Sequence, residues 1–243
     1  MDLMDSDTPQ RQRALKRLVF PLDGNRKQVL AWASSLGDLV GYLKVGLELF
    51  VSEGPAIIDE LKKIAPQAKI FLDLKLHDIP ATVAKATKAA AGWGVDLLTI
   101  HAQGGSEMAR AAARAAGPVK LLGVTVLTSV NPGDLPELAP LYQKGGQWVS
   151  LLGQRAIEAG CAGLVASPLE VKALRSQLGT KPILVIPGIR PAWAQVPNDD
   201  QKRVGTPFQA IKDGADLLVV GRPISQALDP RQAALAVADE MIF

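Results

Sequence analysis

The chain has 243 residues, of which 48% are hydrophobic and 21% are charged, as in an ordinary globular protein with a sizeable core. At roughly 100–200 residues per domain, this length allows one large domain or two small ones. The formal net charge of +3 is too small to indicate nucleic-acid binding, although it is compatible with a phosphorylated ligand. One cysteine and two histidines exclude an internal disulfide, a multi-cysteine zinc cluster and a histidine-rich metal site.

The N-terminal segment 1–15 is expected to be a polar tail or a short helix. The first 17 residues are acidic and then basic without an apolar stretch, so we expect no secretory signal. The basic run 10–17 lacks aromatic residues and has no matching stripe elsewhere, which favours a solvated tail over an RNA-binding arm. No apolar run approaches the roughly 18–20 residues that a membrane span needs, so a cytoplasmic protein is expected.

Residues 16–243 alternate short apolar runs with helix-like stretches. The predicted strands are 18–22, 39–45, 70–74, 97–100, 121–127, 163–166, 183–186 and 217–220. The predicted helices are 25–36, 54–64, 80–93, 105–116, 147–159, 169–177, 206–213 and 223–240. The runs are rich in Val, Ile and Leu without polar alternation, which is typical of strands buried on both faces. Eight such units predict a single α/β domain, a closed (β/α)₈ TIM barrel; a doubly wound open sheet is the alternative and would use fewer strands.

Polar residues at the predicted strand ends are the first candidates for a site, because barrel active sites are built at the carboxyl ends of the strands. Two long loops, 128–144 and 191–205, follow the fifth and seventh strands and are candidates for the same reason. The polar residues at strand ends are Asp23, Lys44, Asp73, Lys75, Asp78, His101, Thr128, Ser129, Ser167, Arg190 and Arg222. Of these, His101 is expected to be packed near the mouth rather than to bind a ligand. Trp32, Trp93 and Trp148 are expected to pack between helices and barrel.

The third strand carries the most unusual pattern. Asp73 and Lys75 are two residues apart, so their side chains share one face, and Asp78 lies just beyond the strand end. With Lys44 at the end of the second strand, they form a set in which each charge has an opposite neighbour. A rigid ammonium can stabilise negative charge that develops on carbon and then supply a proton. The alternative is a buried ion-pair network that serves stability, with Asp78 as a helix N-cap.

The last two strands end in groups suited to an anion. Arg190 follows the seventh strand, and Gly221 and Arg222 follow the eighth, directly before Pro223 in a predicted first helical turn. An arginine fork beside a helix N-terminus with a bare glycine amide is typical of a phosphate site. A surface salt bridge is the alternative for Arg222 alone.

The segment 73–80, with the sequence DLKLHDIP, resembles the D-x-K-x-x-D-I-P signature of the orotidine 5′-phosphate decarboxylase family. Further segments agree in order over roughly residues 18–225. They are Asp23, 44–46 (KVG), 101–105 (HAQGG), 127–129 (LTS), 187–190 (PGIR), 200–203 (DQKR) and 220–224 (VGRPI). The departures are small: 20–22 reads FPL before Asp23, and Gln103 stands in the HAQGG segment, and neither removes a charged group.

The resemblance implies a cofactor-free and metal-free lyase that converts orotidine 5′-monophosphate to UMP, the last step of de novo pyrimidine nucleotide synthesis. It implies that Lys75 stabilises and protonates the carbanion at C6 of the pyrimidine and that Asp73 lies against the departing carboxylate. The site residues that it implies are, for catalysis, Lys44, Asp73, Lys75 and Asp78 and, for substrate binding, Asp23, Lys44, Thr82, Thr128, Ser129, Arg190, Gln201, Gly221 and Arg222.

The same resemblance implies a homodimer with shared active sites. Asp78 and Thr82 would reach the ribose of the partner subunit's site, whereas Asp23 and Lys44 would bind ribose hydroxyls in their own. Gln201 would hold the phosphate with the two arginines. Thr128 and Ser129 would hydrogen-bond the pyrimidine edge, with a turn cap as the alternative for both.

Two other functions compete with this one. A metal-dependent sugar-phosphate lyase or aldolase on the same scaffold would need carboxylates for Mg²⁺, and Lys44 stands where one would be expected. A catalytically silent nucleotide-binding protein would not need the intact set of Lys44, Asp73, Lys75 and Asp78.

Overall fold

Eight parallel strands form a closed barrel in the computed structural model, which describes residues 8–130, 146–194 and 203–242. The strands are β1 (Leu18–Pro21), β2 (Tyr42–Val45), β3 (Lys69–Leu76), β4 (Leu97–His101), β5 (Lys120–Val124), β6 (Gly163–Val165), β7 (Ile183–Ile186) and β8 (Leu217–Val219). They pair in chain order, and β8 pairs with β1. The predicted (β/α)₈ barrel is confirmed, and the open sheet is excluded.

Helices surround the barrel. Within the described residues the α-helices are α1 (Pro9–Leu15), α2 (Arg26–Leu36), α3 (Leu47–Glu53), α4 (Ala56–Ile64), α5 (Pro80–Gly92), α6 (Gly105–Ala115), α7 (Gln147–Glu158), α8 (Val171–Leu178), α9 (Pro207–Lys212), α10 (Arg222–Ser225) and α11 (Pro230–Asp239). Local signals begin several of them: Asn25 and Gln28 form a capping box at α2, and α5 begins at a proline, which suits the first turn.

The core has two layers, as buried parallel strands require. One cluster fills the barrel interior; it consists of Val19, Phe71, Leu97, Leu122, Val185, Leu217 and Val219. The larger cluster lies between strands and helices and includes Leu72, the neighbour of Phe71 on β3. Successive β3 residues therefore alternate between interior and helix layer. This alternation sends Asp73 to the same side as Phe71, towards the barrel axis.

Two predicted helices differ from the structure. The predicted helix 223–240 is wrong as one element: α10 ends at Ser225, and α11 begins at Pro230, where the Asp229 side chain accepts hydrogen bonds from two backbone amides. The predicted helix 54–64 begins at Ala56, and the sequence analysis missed α3 before it. Gly54 separates α3 from α4 because its φ of +66° is a left-handed conformation that favours glycine.

Of the two alternatives for the N-terminal segment, the described residues from 8 onwards form the short helix and not a solvated tail. Thr8 caps α1, and Ala14 and Leu15 are buried. Arg11 donates to both carboxylate oxygens of Asp239, at 2.6 and 2.5 Å, so α1 is joined to the end of α11. The strands predicted at 39–45 and 121–127 are β2 and β5, which are shorter. Most of the loop 128–144 and part of the loop 191–205 lie outside the described residues.

Candidate active site

A pocket of about 870 Å³ opens at the carboxyl ends of the strands. Its lining comes from the ends of every strand except β4, from the loops that follow those strands and from α2, at the face where barrels of this fold build their sites. The predicted site residues that line it are Asp23, Lys44, Asp73, Lys75, Thr128, Ser129, Arg190, Gly221 and Arg222. Asp78 and Thr82 do not belong to this lining, and Gln201 lies outside the described residues.

Four charges from three neighbouring strand ends form a row across one side of the pocket. Lys44 Nζ lies 3.9 Å from Asp23 Oδ1 and 3.4 Å from Asp73 Oδ2, and Lys75 Nζ lies 2.9 Å from the same Asp73 oxygen. The row therefore runs Asp23, Lys44, Asp73, Lys75, and its signs alternate. We call it the charged row. Each ammonium is held beside at least one carboxylate of opposite charge.

Asp73 is the most buried member of the charged row, with 12% of its side chain exposed. Burial raises the pKa of this carboxyl, but the charges of Lys44 and Lys75 and hydrogen bonds from Lys75 and Thr99 outweigh burial and hold the pKa below its ordinary value. Asp73 is therefore ionised at neutral pH, and a second anion placed beside it would be repelled.

A bulge in β3 places Lys75 in this row. Leu72 pairs with Leu98 of β4, but the next pair is Leu76 with Ile100, so β3 has extra residues between the two pairs. Lys75 takes a φ of +52° there and is the one described non-glycine residue with a positive φ. Such strain is typical of sites where the fold must aim a side chain. The i and i+2 spacing predicted the shared direction of Asp73 and Lys75, but not the bulge.

Asp78 and Thr82 lie outside the pocket of their own chain, on an exposed edge beside it. Asp78 accepts a hydrogen bond from the amide of Ile79 at 2.7 Å, and α5 begins one residue later. Ile79, between Asp78 and α5, is 66% exposed. In this chain Asp23, not Asp78, completes the alternation of charges.

The anion-binding end predicted from the sequence has the expected groups around the same pocket. Arg190 and Arg222 follow neighbouring strands, and the Arg190 amide donates to the Gly205 carbonyl at 2.8 Å, which fixes the start of the loop after β7. Gly221 precedes α10, and a Cβ atom there would lie 2.9 Å from Pro21 Cγ. The absence of a side chain at Gly221 thus lets β1 and β8 approach at the pocket wall.

Thr128 and Ser129 line the pocket beyond β5, and hydrogen bonds from Arg203 hold the backbone that precedes them. The Arg203 guanidinium donates to the carbonyls of Leu127 at 2.8 Å and Val126 at 3.1 Å, and it forms an ion pair with Glu170. Since a guanidinium presents its donors in a rigid fork, this contact fixes the backbone that carries both hydroxyl residues.

The lining residues that sequence reasoning missed include Gln28, Trp32, Ser225 and Gln226. Trp32 packs edge-on against Phe20, as expected for a packing residue, but it also reaches the pocket. Gln28 takes part in the capping box of α2, and that motif predicts its place near the loop after β1. We find no sequence signal that would have indicated Gln226.

His101 is half-buried at the mouth, with its ring centroid 5.3 Å from that of His77. Burial, followed by the nearby charges of His77 and Lys75, lowers the pKa of His101, which favours the neutral ring.

Within the ranges 8–130, 146–194 and 203–242, no group of three or more His, Cys, Asp or Glu side chains could hold a metal ion. No helix in these ranges is long and apolar enough to span a membrane.

Comparison with known proteins identifies the family. Residues 16–237 match the family described as orotidine 5′-phosphate decarboxylase / HUMPS. The chain belongs to this family. The resemblance inferred from the segment 73–80 and its companions is therefore confirmed.

Individual members of the orotidine 5′-phosphate decarboxylase / HUMPS family are similar over nearly the whole chain. The orotidine 5′-phosphate decarboxylase of Trichlorobacter lovleyi is 45% identical over 240 residues, which cover 96% of this chain and 98% of the relative. That of Anaeromyxobacter dehalogenans is 49% identical over 208 residues, 85% and 89% of the two chains. The crystal structure of the Lactobacillus acidophilus decarboxylase matches with a TM-score of 0.77 and 38% identity, covering 92% of this chain and 98% of that one.

Proposed function

We propose that this protein decarboxylates orotidine 5′-monophosphate to UMP and CO₂, the last step of de novo pyrimidine nucleotide synthesis. The observation that carries the proposal is the charged row, in which Lys75 and Asp73 are 2.9 Å apart, in a pocket that Arg190 and Arg222 also line. Relatives at 45% and 49% identity bear the name of this decarboxylase, which supports the same substrate. The proposal includes the cytoplasmic location expected from the sequence and no nucleic-acid partner.

Lys75 is the proposed acid. When the bond between C6 and the carboxylate breaks, its electron pair remains on C6 and CO₂ departs. An ammonium fixed beside that carbon stabilises the negative charge and then transfers its proton to C6, which gives UMP. Solvent returns a proton to the Lys75 amine. Asp73 accepts a hydrogen bond from Lys75 Nζ at 2.9 Å, which holds the ammonium in place before the reaction.

Asp73 acts on the substrate carboxylate in the proposed mechanism, and the other site residues hold the substrate. The ionised Asp73 lies against the substrate carboxylate and repels it, and this repulsion is relieved as neutral CO₂ leaves. Asp23 and Lys44 bind ribose hydroxyls, and Thr128 and Ser129 hydrogen-bond the pyrimidine edge. A second group binds the phosphate, namely Arg190, Gln201, Gly221 and Arg222.

We further propose a homodimer in which Asp78 and Thr82 complete the partner subunit's site. Both residues are exposed and do not line the pocket of their own chain, and exposed Ile79 lies between them in sequence. A two-fold interface over this edge would bury Ile79 and place Asp78 near the other charged row. Each site would then take Lys75 from one chain and Asp78 from the other.

Mixing variants tests the shared site. Homodimers of Lys75→Ala and of Asp78→Ala are expected to be nearly inactive. Random mixing at equal amounts makes half the dimers mixed, with one intact site in each, so about a quarter of wild-type activity should return. Mixing Lys75→Ala with Lys44→Ala is the control. Each site takes Lys44 and Lys75 from the same chain, so both sites of a mixed dimer contain one substitution and neither is intact. No recovery in the first mixture, with subunit exchange verified, would place Asp78 in its own chain's site.

A spectrophotometric assay tests the reaction itself. Orotidine 5′-monophosphate should lose its orotate absorbance with the formation of UMP, and Lys75→Ala should abolish the change. The proposed reaction needs no metal ion or cofactor, so activity should survive dialysis against EDTA. A metal-dependent lyase or aldolase would instead lose activity with EDTA and recover it with Mg²⁺. No turnover of orotidine 5′-monophosphate by the wild type would refute the proposal.

A further inference from the structure

The bulge of β3 is opposed by one residue of β4, Thr99. Leu72 and Leu76 of β3 pair with Leu98 and Ile100 of β4, so three residues, 73–75, face the single position of Thr99. Thr99 is fully buried, and it does not line the pocket. The regular ladder of backbone hydrogen bonds is therefore interrupted where two members of the charged row arise.

At this interruption the Thr99 hydroxyl acts both as a hydrogen-bond acceptor and as a hydrogen-bond donor. It accepts a hydrogen bond from the Lys75 amide at 2.9 Å and donates one to Asp73 Oδ1 at 2.9 Å. The direction of both bonds is fixed, because an amide can only donate and an ionised carboxylate can only accept. The other Asp73 oxygen, Oδ2, accepts from Lys75 Nζ at 2.9 Å. Thr99, Asp73 and Lys75 thus form a closed ring of three hydrogen bonds.

This ring bears on a strained conformation. The φ of +52° at Lys75 is unfavourable for a residue with a Cβ atom and persists only where its surroundings enforce it. Without the Thr99 hydroxyl, the Lys75 amide and one Asp73 oxygen would lose these hydrogen bonds at a point where both Thr99 and Asp73 are buried. The backbone would then turn to find other partners, and it would carry the ammonium away from its place beside Asp73.

We propose that Thr99 is a positioning residue for the decarboxylation, whose hydroxyl holds the β3 bulge in the conformation that presents Lys75 beside Asp73. The proposal rests on the proposed function for its kinetic readout. It does not require Thr99 to touch the substrate. It assigns to Thr99 both the aim of the proposed acid and the orientation of the carboxylate that faces the leaving group.

Thr125 offers a matched control. It is also fully buried, it directly follows β5, the neighbour of β4, and its hydroxyl donates to the Val165 carbonyl at 3.1 Å. That bond joins a threonine to a backbone group and has no charged partner. Thr125→Val therefore measures the general effect of removing a buried hydroxyl from a strand end, and Thr99→Val measures that effect plus the loss of positioning.

The kinetic experiment compares Thr99→Val, Thr99→Ser and Thr125→Val with the wild type. We expect Thr99→Val to lower kcat about ten- to a hundredfold, with a change of KM below about threefold, because the lost bonds involve a charged group at the acid rather than binding groups. Thr99→Ser keeps the hydroxyl and should stay within about threefold of wild-type kcat, as should Thr125→Val. An equal kcat for the two valine variants would overturn the proposal.

The pH profile gives a second readout. Since the Thr99 hydrogen bond favours the ionised form of Asp73, its loss should move the acid limb of kcat/KM to higher pH in Thr99→Val alone. Lys44, Lys75 and His101 are the other charged or titratable groups near this carboxyl, and none of these variants changes them. An acid limb that does not move would count against the hydroxyl as a partner of Asp73.

Two measurements separate the possible failures. If the wild type does not turn over orotidine 5′-monophosphate, the proposed function fails, and a crystal structure of Thr99→Val still tests the positioning. In that structure Lys75 should leave the left-handed region, and an unchanged φ would overturn the proposal. If Thr99→Val does not fold, Thr99→Ala and Thr99→Ser replace it, and equal kcat values for these two would refute a role of the hydroxyl.

Discussion

Lys44 is the central cation of the charged row, and its removal gives the sharpest test of how that row is held. Its ammonium lies 3.4 Å from Asp73 Oδ2 and 3.9 Å from Asp23 Oδ1, and 13% of the side chain is exposed. Lys44→Met keeps an unbranched side chain of similar length and removes the charge. We expect it to lower the free energy of unfolding at pH 7 in addition to its effect on activity.

The size of this loss follows from the geometry. Two unit charges 3.4 Å apart attract each other by about 5 kcal/mol at an effective dielectric constant of about 20. Part of this attraction is offset in the wild type by the desolvation of the ammonium, which methionine does not suffer. Asp73 also keeps Lys75 at 2.9 Å. A net loss of about 2 kcal/mol is therefore expected, below the roughly 3–5 kcal/mol typical of a buried pair left with one partner.

The sign of the pH dependence follows from Asp73. Burial raises its pKa, but the charges of Lys44 and Lys75 outweigh burial, so the pKa in the folded state is below the ordinary value. Such a carboxyl adds stability above its unfolded pKa of about 3.9 and loses that contribution as the pH falls through the folded pKa. Lys44→Met weakens the lowering, so its destabilisation should be complete at pH 7 and shrink below about pH 4.

Urea denaturation followed by tryptophan fluorescence measures both effects, at one protein concentration because association alters apparent stability. Lys120→Met is the control, since Lys120 is exposed at the start of β5, at the opposite end of the barrel, and should change stability by less than about 0.5 kcal/mol. If Lys44→Met were as stable as the wild type at pH 7, or equally destabilised at pH 7 and pH 3, the electrostatic reasoning would be refuted.

Three further predictions concern the phosphate end, the N-terminal helix and the cysteine. Arg222→Ala should raise KM and lower kcat/KM, because remote binding energy supports the chemistry, and added phosphite should partly restore turnover of the phosphate-free nucleoside. An unchanged KM would remove Arg222 from the phosphate site. Leu15→Ala should lower the free energy of unfolding in urea by about 2–5 kcal/mol, because Leu15 is buried in α1, whereas exposed Arg13→Ala should change it by less than about 0.5 kcal/mol. Equal effects would mean that α1 is not part of the core. Burial raises the pKa of the Cys161 thiol to about 12, so it should not react with a disulfide reagent at pH 8 until the protein unfolds. Rapid reaction in the native protein would contradict this burial.

The barrel itself could be predicted because its strands are buried on both faces. Uninterrupted apolar runs such as Ile183–Ile186 indicate strands of this kind. The helices were harder, because tertiary packing decides which breaks are used. Gly54 separates α3 from α4, and a new helix begins after Asp229 at Pro230. Both breaks can be recognised in the sequence, but neither determines whether the residues on each side are helical.

The site could be predicted to the extent that strand order determines it. Asp23, Lys44 and Asp73 are far apart in the chain, yet consecutive strands of a parallel barrel are neighbours, so their carboxyl ends bring these residues together. The alternation of two residues along β3 then gives the direction of Lys75 relative to Asp73. What the pattern does not contain is distance, because the spacing alone does not determine that the two side chains meet at 2.9 Å.

That contact depends on a backbone conformation that residue preferences disfavour. A lysine with a φ of +52° contradicts local propensity, and local sequence reasoning therefore assigns it a regular strand conformation. The compensation comes from Thr99, 24 residues later, which no local pattern connects to Lys75. Sites of this kind are where local and global preferences conflict, because strain that is held by distant partners fixes a side chain more rigidly than a relaxed strand would. The least predictable residue of the fold is thus the one on which the proposed chemistry depends.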